Sequence, residues 1–99
     1  MKKIVLLCAG GMSTSILVAK MKEYANSVNF DCSIEAYAVE TIQTTGKNAD
    51  VILLGPQVGH KLKDLQAQVA CPMVVIDMMA YGMMDGKATL LQAKKAIGA

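Results

Sequence analysis

"KKIVLLCAGGMSTS", residues 2–15, decides the fold. Ile4–Leu7 is a continuous apolar run, the pattern of a strand buried on both faces. It ends on a cysteine, Cys8. Gly10 and Gly11 follow, and after Met12 come three hydroxyl residues, Ser13, Thr14 and Ser15. From Ser13 onward, Leu17, Met21, Tyr24 and Val28 recur at spacings of four, three and four, which places them on one helical stripe. Ser13 or Thr14 is suited to cap that helix. The stretch therefore reads as strand, glycine turn, helix.

The same alternation continues along the chain. Cys32, Ile34, Ala36 and Ala38 alternate with Ser33, Glu35, Tyr37 and Val39, the period of a second strand. Thr41–Thr45 reads as a short helix stopped by Gly46. Val51–Leu54 is a third strand, closed by Gly55-Pro56. Leu62, Leu65 and Val69 mark a helix over 59–69. Met73–Ile76 is a fourth strand after Cys71-Pro72, and Leu90, Ala93 and Ile97 mark a last helix over 86–97. Strands alternating with helices predict an α/β fold with a parallel sheet and helices on both faces. Ligands of such folds bind beyond the carboxyl ends of the strands. Here that points to the first turn, residues 8–15.

With 99 residues the chain is expected to form one domain, residues 1–99. At 54% hydrophobic residues it has ample material for a core without staples. A net charge of +2, scattered lysines and few aromatics give no support to nucleic-acid binding. No apolar run approaches the roughly 18 residues of a membrane span. Ile4–Leu7 is too short for the core of a secretory signal, roughly 7–15 residues, so membrane insertion and export are not expected. Three cysteines without a CxxC suit free thiols in the cytoplasm.

The turn itself suggests a chemistry. A glycine loop leading into a helix turns backbone N–H groups in one direction, and the helix dipole adds to them, so the loop is suited to an anion. Ser13, Thr14 and Ser15 add hydroxyl donors. A field of that sign also favours a thiolate. A thiolate in a phosphate cradle can attack phosphorus and hold the phosphoryl group. Free cysteines are often no more than small buried hydrophobes. The place after the first strand and the three hydroxyls favour the reactive reading of Cys8.

"CAGGMSTS" resembles the signature loop of the enzyme IIB subunits of the bacterial phosphoenolpyruvate-dependent sugar phosphotransferase system, in the lactose/cellobiose/chitobiose branch. "NADVILLGPQV", residues 48–58, and "VIDMMAYGMMDG", residues 75–86, resemble further segments of that family. The resemblance implies a four-stranded parallel sheet in the order 2-1-3-4. It places the phosphorylated cysteine on Cys8 and the phosphate-binding loop on Ala9, Gly10, Gly11, Met12, Ser13, Thr14 and Ser15. It implies a phosphotransferase that takes its phosphoryl group from a histidine of a IIA partner. The acceptor would be a sugar held by a membrane IIC partner, with no metal and no cofactor.

The alternative is a low-molecular-weight cysteine phosphatase, whose loop has the form C-x5-R. Counted from Cys8, the arginine position holds Thr14, and the first 15 residues contain no arginine. A thiol redox protein would want a resolving cysteine, and Cys32 and Cys71 are distant in sequence. Cys32 reads as core and Cys71 as structural. His60 reads as a surface residue at a helix start. Asp77 reads as the N-cap of a segment over 78–81 rather than as a general acid. Met12, Met78, Met79, Met83 and Met84 suit either an adaptable docking face or core packing.

Overall fold

A computed structural model of the chain describes residues 1–8 and 12–98, except for the side chains of Met12 and Ser13. Four strands, β1 (Lys2–Cys8), β2 (Cys32–Ala38), β3 (Val51–Leu54) and β4 (Met73–Val75), form one sheet in the order β2-β1-β3-β4. All pairings are parallel. Ile4 of β1 faces Ile34 of β2 and Val51 of β3, and Leu54 of β3 faces Val75 of β4. The expected strand order and sheet type are thus both present.

The alternation within β1 explains why its apolar run is continuous. Ile4 and Leu6 enter one core with Leu17, Met21, Leu90 and Ala93. Val5 and Leu7 enter the other with Ile42, Val58 and Leu65. Successive residues of a strand point to opposite faces, and all four are at most 1% exposed. Helices α1 (Met12–Ser27) and α5 (Gly86–Ile97) cover the first face. The short helices α2 (Ile42–Thr45) and α3 (Leu62–Gln66) cover the second. A last short helix, α4 (Met78–Gly82), lies between β4 and α5 in sequence and adds Tyr81 to the first core.

Several expectations shift at element ends. Val28 is not on the α1 stripe and is 43% exposed. The helix stops at Ser27, Asn29 turns left-handed at φ 57°, and the Phe30 N–H bonds back to the Ala25 carbonyl at 2.9 Å. Asparagine tolerates that conformation better than most residues. Val39 was expected to continue β2, yet the strand ends at Ala38 and Val39 is buried in the second core. Beyond Ala38 the chain leaves the sheet as a 3₁₀ turn over Val39–Thr41. The helix expected over 59–69 is a 3₁₀ turn over Pro56–Lys61 followed by the five residues of α3. Pro56 starts that helical path early, since its fixed φ suits a first turn. Gln66 ends α3, and its side-chain amide is tied to the start of β4 through the Cys71 carbonyl at 2.9 Å and the Met73 N–H at 3.1 Å. Ile76 lies just past β4, and its N–H still bonds to the Leu54 carbonyl at 2.8 Å.

Gly86 is where α5 meets α1. A methyl group there would stand 2.5 Å from the Lys20 carbonyl carbon and 2.7 Å from its oxygen. Those are backbone atoms of α1 and cannot rotate away. Gly86→Ala is expected to force the helices apart and cost about 2–3 kcal/mol, near the top of the usual range for overpacking. Urea unfolding checks this, because a midpoint equal to wild type would contradict the close approach.

Candidate functional site

The carboxyl ends of β1 and β3 lie side by side where the strand order reverses, β2 on one side of β1 and β3 on the other. Cys8 is the last residue of β1 and is buried at 6% exposure. By strand alternation it points to the same face as Ile4 and Leu6, toward α1. There the Thr14 hydroxyl donates to Cys8 Sγ at 3.1 Å. α1 begins at Met12, so Thr14 lies inside the first turn and its side chain is spent on the sulfur rather than on the expected cap. Ser15, one residue on, is exposed. The expected phosphate donors Ala9, Gly10 and Gly11 lie outside the described residues, as do the side chains of Met12 and Ser13.

Sequence reasoning missed Tyr81. Its hydroxyl lies 3.3 Å from Thr14 Oγ1, across 67 positions of sequence. Thr14 is 3% exposed and Tyr81 9%. The only sequence signal was its place inside the matched segment 75–86. Gly55, just past β3, lies against Cys8. A methyl group there would stand 3.3 Å from Cys8 Cβ, so glycine lets the β3 turn lie against the cysteine.

The other expected residues have different surroundings. Asp77 caps α4, its Oδ2 accepting the Ala80 N–H at 3.0 Å. His60 is exposed in the 3₁₀ turn before α3. Met78, Met79 and Met83 are more than 70% exposed, whereas Met84 packs against the first core.

Cys32 packs against the first core and Cys71 against the second, which agrees with their structural reading. Burial pushes both thiols above the ordinary cysteine value. The negative charge of Asp31 adds to this at Cys32. At Cys71 a backbone hydrogen bond opposes the shift and the Asp50 charge adds to it. A raised value means less thiolate at any given pH. Alkylation of Cys32 and Cys71, followed by peptide mass spectrometry, should reach half its limiting rate above the free-cysteine value of about 8.5. An inflection at or below that value would contradict the assignment.

Known proteins resemble this chain in sequence and in fold. The model of the family described as "PTS system, Lactose/Cellobiose specific IIB subunit" matches residues 3–92. The oligo-beta-mannoside-specific EIIB component of Bacillus subtilis is 47% identical over 96 residues, covering 94% of this chain and 93% of that protein. The galactose-specific EIIB component of Lactococcus lactis is 42% identical over 101 residues, covering 94% of each chain. The solution structure of the cellobiose-specific IIB component of Borrelia burgdorferi superposes with a TM-score of 0.82 at 34% identity, covering 98% of this chain and 92% of that one. The lactose-specific IIB domain of Streptococcus pneumoniae, at 21% identity, shares the fold with a TM-score of 0.81 over 96% of both chains. The chain therefore belongs to the lactose/cellobiose-specific IIB subunits of the phosphotransferase system, the phosphotransferase components of a sugar-transport machinery.

Proposed function

We propose that this chain, residues 1–99 acting as one carrier domain, moves a phosphoryl group through Cys8 in the cytoplasm. The donor is a phosphohistidine of a IIA partner. The acceptor is a sugar bound by a membrane IIC partner. In the first step Cys8 Sγ attacks phosphorus and an S–P bond forms as the N–P bond breaks. The bonding pair stays on the imidazole nitrogen, which takes up the proton leaving the thiol. In the second step a sugar hydroxyl oxygen attacks phosphorus, the S–P bond breaks and its pair returns to sulfur. The hydroxyl proton is released, so a sugar phosphate and free Cys8 remain. The backbone N–H groups of residues 9–15, with the hydroxyls of Ser13 and Ser15, hold the phosphoryl oxygens, while the Thr14 hydroxyl holds the sulfur.

The observation that carries this reading is the Thr14 hydroxyl on Cys8 Sγ, at the end of β1 and in the first turn of α1. A sulfur placed so is held for attack by a donor that itself belongs to the phosphate loop. Among the described residues no helix is long and apolar enough to cross a membrane, which suits a carrier working on a membrane partner. The names of the relatives, for an oligo-beta-mannoside and cellobiose among others, favour a β-linked disaccharide such as cellobiose, chitobiose or lactose.

The test supplies phosphoenolpyruvate, the upstream carriers, the IIA partner and membranes carrying IIC, with each disaccharide in turn. Sugar phosphate should accumulate only when this chain is added. No dependence on the chain with any of the sugars would contradict the proposal.

A further inference from the structure

The side-chain amide of Gln92, on α5, brackets Ile76. Its Nε2 donates to the Val75 carbonyl at 2.6 Å, and its Oε1 accepts the Asp77 N–H at 3.1 Å. Val75 ends β4 and Asp77 caps α4, so one residue ties the end of the strand to the start of the helix. α4 has five residues, far below the length at which a helix is stable alone in water. Its position therefore depends on how its ends are held. From Asp77 the path continues inward. The Tyr81 N–H donates to the Asp77 carbonyl at 2.9 Å. The Tyr81 hydroxyl reaches Thr14 Oγ1, and Thr14 donates to Cys8 Sγ. A hydroxyl has a single proton to give. With the Thr14 proton on sulfur, a hydrogen bond at the 3.3 Å contact takes Tyr81 as its donor. The bonds thus run in one direction, Tyr81 to Thr14 to Cys8, and each polarises the next.

We infer that Gln92 and Tyr81 are positioning residues for phosphoryl transfer through Cys8. Gln92 fixes the β4–α4 turn, α4 delivers the Tyr81 hydroxyl, and Tyr81 orients the Thr14 hydroxyl onto the sulfur. The inference rests on the proposed role of Cys8. Neither hydroxyl gains or loses a proton in the step. The Thr14 hydrogen bond occupies one lone pair of sulfur and leaves another for the attack on phosphorus. Transfer itself makes the S–P bond, breaks the N–P bond and moves the thiol proton to the imidazole nitrogen.

The test is single-turnover transfer from the phosphorylated IIA partner, at varied donor concentration, with a urea midpoint for every variant. Tyr81→Phe and Gln92→Met should each lower the limiting rate roughly 3- to 10-fold, the scale of one lost hydrogen bond. The half-saturating donor concentration should not change. Thr14→Val should fall likewise, Thr14→Ser should keep the wild-type rate within about twofold, and Tyr81→Phe should add nothing on the Thr14→Val background. If Gln92→Met does not fold, Gln92→Glu keeps the acceptor for Asp77 and loses the donor to Val75, and should slow transfer in the same way. A Tyr81→Phe rate equal to wild type, or a double variant in which the two effects multiply, overturns the inference while leaving Cys8 as carrier. A wild-type chain that accepts no phosphate overturns both.

Discussion

Cys8→Ser is expected to bring sugar-phosphate formation down to the level seen without the chain, a fall on the order of 10³-fold or more. A serine hydroxyl in that place is a far weaker nucleophile than a thiol. Any phosphoserine that did form would hold its group too firmly to pass it on, because an alkoxide leaves much less readily than a thiolate. The fold should survive, since the substitution changes one atom at the end of β1 and leaves the Thr14 hydroxyl an acceptor. Cys32→Ala and Cys71→Ala, each removing a half-buried thiol away from the Thr14–Cys8 pair, should retain transfer. The assay with IIA, IIC membranes and a β-linked disaccharide separates these outcomes. A Cys8→Ser chain that folds and still supports sugar phosphorylation would remove Cys8 from the path.

The second large effect concerns hydrolysis. All ten basic residues of the chain are lysines, so no arginine is present to clamp a phosphoryl transition state. Thr14 stands where a C-x5-R loop has its arginine, and its hydroxyl is engaged with Cys8 Sγ. The Asp77 carboxylate is engaged as the cap of α4. One cationic donor to such a transition state is worth on the order of 10³–10⁵ in rate. Turnover of p-nitrophenyl phosphate should therefore be lower than that of an arginine-bearing phosphatase by on the order of 10³–10⁵. The phosphocysteine should persist in water until the IIC partner and its sugar arrive. Enzyme-like release of p-nitrophenol, lost in Cys8→Ser, would favour a phosphatase over a carrier.

The legible parts of this molecule were the local ones. Ile4–Leu7 and Val51–Leu54 declare buried strands because both of their faces are apolar, and the structure places them at the centre of the sheet. Asp77 declared a cap because capping needs only the next three residues. The last helix was legible over its whole length, 86–97, from Leu90, Ala93 and Ile97, and Asp85 and Gly98 cap it. What was not legible depends on contacts between distant segments. Val28 continues the stripe of α1 in sequence, but the chain turns at Asn29 before the stripe can use it. Gly86 looks like any glycine at a helix start until α1 is brought against it. Thr14 looked like a cap, and only the position of Cys8 shows where its proton goes. Tyr81 and Gln92 carry no local pattern at all. Their partners lie 67 and about 16 positions away, and the fold alone brings them together.

The most direct test of Cys8 as carrier is to find where the phosphate sits. The chain is incubated with phosphoenolpyruvate, the upstream carriers and the IIA partner, without sugar or membranes, then digested and mapped by mass spectrometry under conditions that preserve a thiophosphate. The expected result is one phosphoryl group, on the peptide containing Cys8, absent from Cys8→Ser and retained in Cys32→Ala and Cys71→Ala. Phosphate on His60, on Cys32 or on Cys71, or phosphate surviving in Cys8→Ser, would contradict it.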